Sequence, residues 1–223
     1  MHRLGRHTQT RERLVRTAGE LFWRQGYAQT GVSSIMKQAR ATSGSFYHFF
    51  PTKDDLLLAV LDAAAELIST EILGAAEADS GDPFDRVSIV IDAYRIRTAR
   101  NFPGYGIPVG TLVGELGPDH ATALRRVEKI YAMLVSRIAE WFVDDSNPWS
   151  SSNDPRRLAE FIVGSLEGAS MIAIAGNTNS PFDACAGQMQ LYFAGLAIGR
   201  SSRAEEMPPP DPSPTGAADW KAW

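Results

Sequence analysis

The segment from residue 30 to residue 53 constrains the fold of this chain more than any other stretch. Its first half places apolar side chains at the spacing of one face of an α-helix. After a tight turn, Thr42 can cap a second helix, because its side-chain oxygen can accept a hydrogen bond from a free backbone N–H. Pro51 ends that helix, since proline donates no hydrogen bond and disfavours a helical residue before it. The segment therefore predicts two short helices joined by a turn.

The second of these helices has an apolar side and a polar side. Phe46 and Phe50 lie one turn apart, so both are predicted to face the core. Tyr47 and His48 fall between them on the helical wheel and are predicted to face solvent. A two-helix unit with a polar, aromatic second helix is typical of a DNA-binding helix-turn-helix. The alternative, an aromatic core cluster, is accepted for Phe46 and Phe50 only.

Residues 42–57 resemble the signature of the tetracycline-repressor (TetR) family. A small hydroxyl residue, a glycine, an aromatic pair with histidine and a phenylalanine are followed by Lys-x-x-Leu. The residues that match the family's first helix are Ala18, Leu21, Phe22, Gly26 and Tyr27. The resemblance covers residues 10–60. It implies an all-α protein with an N-terminal three-helix helix-turn-helix DNA-binding domain and a C-terminal helical ligand-binding and dimerisation domain.

A second resemblance lies further along the chain. The run from Gly106 to Leu116 is similar to the ligand-domain motif of the LmrA/YxaF-like branch of the family. That motif usually has cysteine and asparagine where this chain has Ile107 and Thr111. The glycines of the run permit close packing of helices beside a cavity.

The whole chain is predicted to hold about nine helices in three parts. These parts are the DNA-binding domain (1–52), the ligand-binding and dimerisation domain (53–199) and a disordered, proline-rich tail (200–223). Residues 1–9 are predicted to form a flexible basic arm, with an ordinary frayed terminus as the alternative. Predicted helices occupy 11–25, two short stretches in 30–50, roughly 23 residues from 52, then 83–100, 107–116, 119–143, a stretch from 155, and 181–199.

The distribution of charge favours nucleic acid as a partner of one end of the chain. The net charge is −4, but residues 1–53 hold nine Lys and Arg against two Glu, which leaves +7 there and −11 in the remainder. A basic head on an acidic body suits binding to DNA through the head. A merely solvated charged surface is the alternative, and the coincidence with the helix-turn-helix pattern weighs against it.

The family resemblance implies which residues contact DNA. It places the second helix of the motif in the major groove and Lys53 on a phosphate. Arg40 stands at the turn where the family usually has glycine, so a positive φ there costs roughly 1 kcal/mol. The candidate DNA-binding residues are Thr30, Ser33, Ser34, Arg40, Thr42, Ser43, Gly44, Ser45, Tyr47, His48 and Lys53.

The resemblance also implies a cavity enclosed by the fourth to seventh helices and a dimer formed by the last two. Candidate ligand-binding residues are Leu67, Tyr94, Phe102, Tyr105, Val109, Leu112, Val113, Tyr131, Leu134, Phe161 and Met171. Candidate dimer residues are Phe161, Ser165, Leu166, Ala169, Ile172, Met189, Tyr192, Phe193 and Leu196. Plain core packing is the alternative for many of them. The expected function is a homodimeric repressor, released from a palindromic operator by a small apolar or aromatic effector.

Enzyme functions find little support in the sequence. The chain has no HExxH, CxxC, Gly-x-Ser-x-Gly or phosphate-loop motif, so no catalytic residue, cofactor or metal is predicted. Glu115, Asp119 and His120 could form a carboxylate–histidine or metal site, but a solvated helix N-terminus is the favoured interpretation. A helical protein-interaction adaptor, or a small-molecule-binding enzyme without DNA binding, stays open as the alternative.

The expected compartment is the cytoplasm. Cys185 is the only cysteine, so no internal disulfide can form. The N-terminus lacks the apolar core of a signal peptide, and no unbroken apolar run has the length of a membrane span.

Overall fold

The computed structural model describes residues 2–79, 81–98, 109–143 and 154–206, and of residues 2–7, 79 and 196–206 the backbone alone. These residues form nine helices, one short 3-10 turn at Pro118–His120 and no strand, which confirms the all-α prediction. The helices are α1 His2–Gln25, α2 Val32–Gln38, α3 Ser43–Phe49, α4 Lys53–Leu67 with its continuation to Asp79, α5 Pro83–Thr98, α6 Val109–Val113, α7 Ala121–Glu140, α8 Pro155–Gly176 and α9 Ser180–Glu206.

The first three helices form a small head, whose buried residues belong to the same hydrophobic core as those of the body. Phe46 and Phe50 are buried, as predicted, and their rings lie 6.1 Å apart. Thr42 caps α3 by accepting a hydrogen bond from the Ser45 N–H at 3.2 Å. Such a cap contributes about 1 kcal/mol to helix stability. These contacts fix the outward side of α3 relative to the core.

The turn between α2 and α3 holds a strained arginine. Arg40 has φ +49°, in the left-handed region that the resemblance to the family suggested for this position. A side chain with a Cβ is disfavoured there, whereas glycine is not.

Arg40→Gly is therefore expected to raise the free energy of unfolding by about 0.5–1 kcal/mol, measured by urea unfolding. Arg40→Ala is the control, because alanine removes the guanidinium but keeps the strain. An equal stabilisation by both substitutions contradicts this explanation, since it assigns the effect to charge.

Both ends of the helical region extend further than the sequence predicted. Residues 2–9, predicted as a flexible arm, continue α1, and residues 200–206, predicted as part of the tail, continue α9. The first stretch contains one glycine, Gly5, and no proline, and the last contains no proline before Pro208. Nothing local therefore ends either helix where the prediction placed its end.

The long helix α4 leaves the head and enters the body. A capping box between Thr52 and Asp55 begins it, and a π-helical turn, Ile68–Leu73, interrupts it before its last segment, Gly74–Asp79. Arg137 of α7 donates to the Ser69 carbonyl at 2.9 Å, inside this turn. The same guanidinium pairs with Glu77, so α7 holds α4 both within the irregular turn and just after it.

Helix α8 lies at the centre of the body and packs against α5, α7 and α9. By length and composition alone it is apolar enough to cross a membrane. Its inner face, which includes Leu158, Ile162 and Leu166, is nevertheless buried against those helices. A core helix passes the same test, so its apolar character is explained by packing.

Candidate nucleic-acid surface and interior site

The outward side of α3 is polar, aromatic and accessible. Tyr47 is 54% exposed, and its ring packs edge-on against Phe46 at 5.1 Å between centroids. The core thus holds the ring while its hydroxyl reaches solvent. Ser45 is half-buried. The predicted DNA-contacting residues that are exposed are Ser33, Ser34, Arg40, Thr42, Ser43, Gly44, Tyr47 and His48.

Thr30 does not belong to this surface, contrary to the prediction for its hydroxyl. Its side chain is fully buried and donates to the Gly26 carbonyl at 2.6 Å, while Gln25 donates to it at 3.2 Å. Its hydroxyl therefore closes the loop between α1 and α2. Local sequence did not reveal this role, because a threonine before a helix usually points outward as a cap.

Lys53 is held by the protein itself. Its ammonium donates to the Tyr27 carbonyl at 2.5 Å and lies 4.1 Å from the centre of the Tyr27 ring. Burial lowers the pKa of Lys53, while the nearby carboxylates of Asp54 and Glu115 oppose that shift. The Tyr27 hydroxyl donates to Asp54, and burial is the main reason why the pKa of Tyr27 is raised. The phosphate contact of Lys53 stays a prediction.

The body touches the head at the loop that contains Tyr27. Glu115, just after α6, accepts from the Ala28 N–H at 2.9 Å. Gly26 has φ +87°, and a Cβ on it would lie 2.6 Å from Glu115 Oε1, so glycine permits this approach. His120 stacks edge-on against Tyr27, with ring centroids 5.4 Å apart. We call this set of contacts the head–body contact.

Glu115→Ala is expected to accelerate hydrogen exchange of the Ala28 amide about tenfold, because the amide loses a charged acceptor. The measurement is exchange followed by NMR on the full chain. Glu128→Ala, which removes an exposed glutamate of α7, is the control and is expected to leave the rate unchanged. Equal rates in the wild type and Glu115→Ala contradict the presence of this contact in solution.

Inside the body, four helices converge on one carboxylate. Glu167 of α8 accepts from the Tyr94 hydroxyl of α5 at 3.5 Å and from the Gly110 N–H of α6 at 3.3 Å. Tyr131 of α7 also forms a hydrogen bond with it. We call Glu167, Tyr94, Tyr131 and Gly110 the interior cluster. Burial raises the pKa of Glu167 to about 7, although the three donors act in the opposite direction.

Some of the predicted ligand-binding residues lie in the interior of the body and others lie on its surface. Tyr94, Val109, Leu112 and Leu134 are buried, and Leu67 and Tyr131 are half-buried. Their positions are consistent with an interior site. The prediction is wrong for three residues that face outward in this chain: Val113, Phe161 and Met171, which are 37%, 52% and 55% exposed. Phe102 and Tyr105 lie outside the described residues.

Some of the predicted dimer residues are likewise exposed, whereas others are buried. Phe161, Ile172 and Tyr192 are exposed, Ser165 is half-buried, and the rings of Phe161 and Tyr192 lie 6.2 Å apart. Leu166, Ala169, Met189 and Phe193 are buried within one copy of the chain, so their assignment to an exposed interface is wrong. The side chain of Leu196 lies outside the described residues. We call the exposed set the α8–α9 apolar face: Phe161, Met171, Ile172, Leu191 and Tyr192.

Sequence reasoning missed Glu167 altogether. One signal was available, because Glu167 shares a side of α8 with Val163 and Ser170, both of which are buried. An acidic residue on the inner side of an apolar helix indicates a buried carboxylate. For Glu115 and His120 the sequence favoured a solvated helix N-terminus, with a carboxylate–histidine or metal site as the alternative. Both instead contact the head, and no group of three potential metal ligands occurs within the described ranges.

Both the head and the body of the chain match models of known protein families. Residues 14–60 match the family model described as bacterial regulatory proteins, tetR family. Residues 83–188 match the model of the C-terminal domain of LmrA/YxaF-like transcriptional regulators. The first match contains the α2–α3 unit, and the second contains the interior cluster.

Individual relatives agree with these matches. The chain is 27% identical to the uncharacterised HTH-type transcriptional regulator YxaF of Bacillus subtilis over 177 residues, which cover 77% of this chain and 88% of YxaF. It is 32% identical to the transcriptional regulator AcuR of Cereibacter sphaeroides, over 70% of this chain and 72% of AcuR. A TetR transcriptional regulator from Chloroflexus aurantiacus shares the fold, with a TM-score of 0.70, 24% identity and coverage of 85% of this chain and 96% of that one.

Proposed function

Because the chain belongs to the TetR family of bacterial transcriptional regulators, which are not enzymes, we propose that it is a homodimeric repressor. In this proposal it binds a palindromic operator in the cytoplasm and leaves it when a small molecule occupies the body. The exposed side of α3, backed by a buried aromatic core, is the observation that carries the proposal.

The proposed DNA contact uses α3 in the major groove. Tyr47 and His48 can donate to phosphate oxygens, and the serine hydroxyls can either donate to or accept from base edges. Gly44 has nothing within 4 Å of the position of a Cβ, so the backbone can approach a groove closely. Arginine and asparagine, which read bases strongly, are missing from α3. Specificity therefore rests partly on the shape of the DNA.

The proposed dimer forms through the α8–α9 apolar face. One α3 helix covers only a few base pairs, and two at a fixed spacing read half-sites one helical turn apart. Gly164 and Gly168 of α8 have open space where a Cβ would lie, so a second helix can approach closely there. A symmetric pairing of α8 and α9 with their copies fixes the distance between the two heads.

The proposed signal passes along α6. Gly110, near the start of this five-residue helix, donates to Glu167, and Glu115, just after its end, holds the Ala28 amide of the head. A ligand that displaces α6 therefore also acts on the head–body contact. If the ligand binds more tightly to the displaced arrangement, it shifts the population away from the DNA-competent state.

Tyr47→Ala tests the DNA-binding part of the proposal. We expect this substitution to weaken binding to DNA from upstream of the protein's own gene about tenfold or more in a gel-shift titration, with little change in the melting temperature. Ile96→Ala, on the exposed side of α5, is the matched control and is expected to bind as the wild type does. Unchanged binding by Tyr47→Ala, or no binding by the wild type at low salt, contradicts the proposal.

A further inference from the structure

The carboxylate of Glu167 is mostly buried, and no cation pairs with it in the described part of the chain. Its partners are two tyrosine hydroxyls and the Gly110 N–H, and no lysine, arginine or histidine of the described ranges pairs with it. Enclosing a carboxylate in this way is unfavourable unless it is paired or loses its charge. On α8 this carboxylate follows the buried Leu166, and on α6 the buried Val109 precedes its partner Gly110. The cluster therefore lacks the one partner that stabilises a buried carboxylate most strongly.

The cluster is not sealed. Tyr94 is fully buried, but Glu167, Tyr131 and Gly110 keep part of their surface accessible. An ionised carboxylate can only accept hydrogen bonds, and the hydroxyl proton of Tyr131 is engaged with the Glu167 carboxylate. Above about pH 7, where Glu167 is ionised, a molecule that reaches the cluster therefore meets a negative charge. An anionic molecule is repelled by the same surface.

We propose that the interior cluster is the polar end of the effector site and selects an organic cation, a protonated amine carried on an apolar or aromatic body. The ammonium group donates to Glu167, and the tyrosine rings can stabilise its charge. The apolar body lies among the surrounding aliphatic side chains. This inference rests on the proposed function, because it assumes that the effector enters the body. It adds a positive charge to the small apolar or aromatic effector expected from sequence.

The geometry also connects such a ligand to α6. Gly110 donates to Oε2 of Glu167, and a Cβ on Gly110 would lie 2.6 Å from that oxygen. The backbone of Gly110 therefore lies directly against this oxygen while α6 keeps its position. An ammonium group that takes Oε2 therefore competes directly with the Gly110 N–H.

The test uses the full chain and three matched probes: 2-naphthylmethylamine, 2-naphthylmethanol and 2-naphthoate. Their affinities are measured by calorimetry and thermal shift for the wild type and for Glu167→Gln, which keeps the shape of the side chain. Glu160→Gln, on the exposed side of α8, is the matched control. We expect the amine to bind the wild type and Glu160→Gln best and to lose about tenfold or more in affinity for Glu167→Gln.

Three outcomes overturn the inference: the alcohol or the carboxylate binds as well as the amine, the amine binds Glu167→Gln as well as the wild type, or no amine binding is found. Gel shifts without any probe separate this inference from the proposed function. If operator binding is intact but amine selectivity is missing, only the inference fails. If amine selectivity is present but no DNA is bound, the proposed function fails.

Discussion

Ile172→Glu is expected to separate the dimer into single chains and to abolish tight DNA binding. Ile172 is 62% exposed, on the same face as Phe161 and Tyr192. In a symmetric interface each residue meets the equivalent surface of the partner, so the substitution buries two unpaired carboxylates near one axis. A single head then binds alone, and operator affinity is expected to fall about 100-fold or more, since the gain from two linked contacts is lost.

The measurement is the mass of the protein in solution, by light scattering or sedimentation, together with a gel-shift titration. Ile96→Glu is the matched control, because Ile96 is 55% exposed on α5, away from the α8–α9 apolar face. The control is expected to stay dimeric and to bind DNA as the wild type does. A dimeric Ile172→Glu protein with wild-type affinity contradicts the assignment of this face.

The second large effect concerns the dependence of stability on pH. Burial raises the pKa of Glu167 from the ordinary value of 4.5 to about 7. Between these values the folded protein keeps a proton that the unfolded chain releases. This proton stabilises the folded state. The stabilisation is fully present below pH 4.5, is lost as the pH rises to about 7, and amounts to about 3 kcal/mol at most.

Glu167→Gln is expected to remove this dependence, because glutamine does not titrate. Urea unfolding gives the free energy of unfolding of the wild type and of the variant at pH 5 and at pH 8. The change between the two pH values is then compared between the two proteins. This comparison also removes the contribution of Glu77, which is the same in both proteins. The pKa of Glu77 is lowered, mainly by its hydrogen bond to Arg137, so its contribution to the free energy of unfolding changes with pH in the opposite direction. Glu160→Gln is expected to behave like the wild type. An identical pH dependence in Glu167→Gln and the wild type contradicts a buried, proton-binding Glu167.

The head could be predicted from sequence in detail because local rules decide it. The spacing of Phe46 and Phe50 gives the inner side of α3, Thr42 caps it, and Pro51 follows its end. In each of these cases one or two neighbouring residues determine the outcome, so no knowledge of distant contacts was needed. The left-handed φ of Arg40 was instead suggested by the resemblance to the family, which usually has glycine at this turn.

The body could be predicted only in part, because distant contacts decide it. Helix α8 is apolar on most sides, so its periodicity does not say which stripe faces the body and which stays exposed. Leu166 and Ile172 were therefore assigned to one face, although the structure places them on different ones. The bond between Glu115 and Ala28 joins residues 87 positions apart, and no local pattern predicts such a pair.

The most direct test of the account is hydroxyl-radical footprinting of the full chain on DNA from upstream of its own gene. Two copies of α3 in successive major grooves predict two protected patches on one side of the duplex, about one helical turn apart. Tyr47→Ala is expected to remove both patches together. A single patch, uniform weak protection along the duplex, or a pattern that Tyr47→Ala leaves intact contradicts the account.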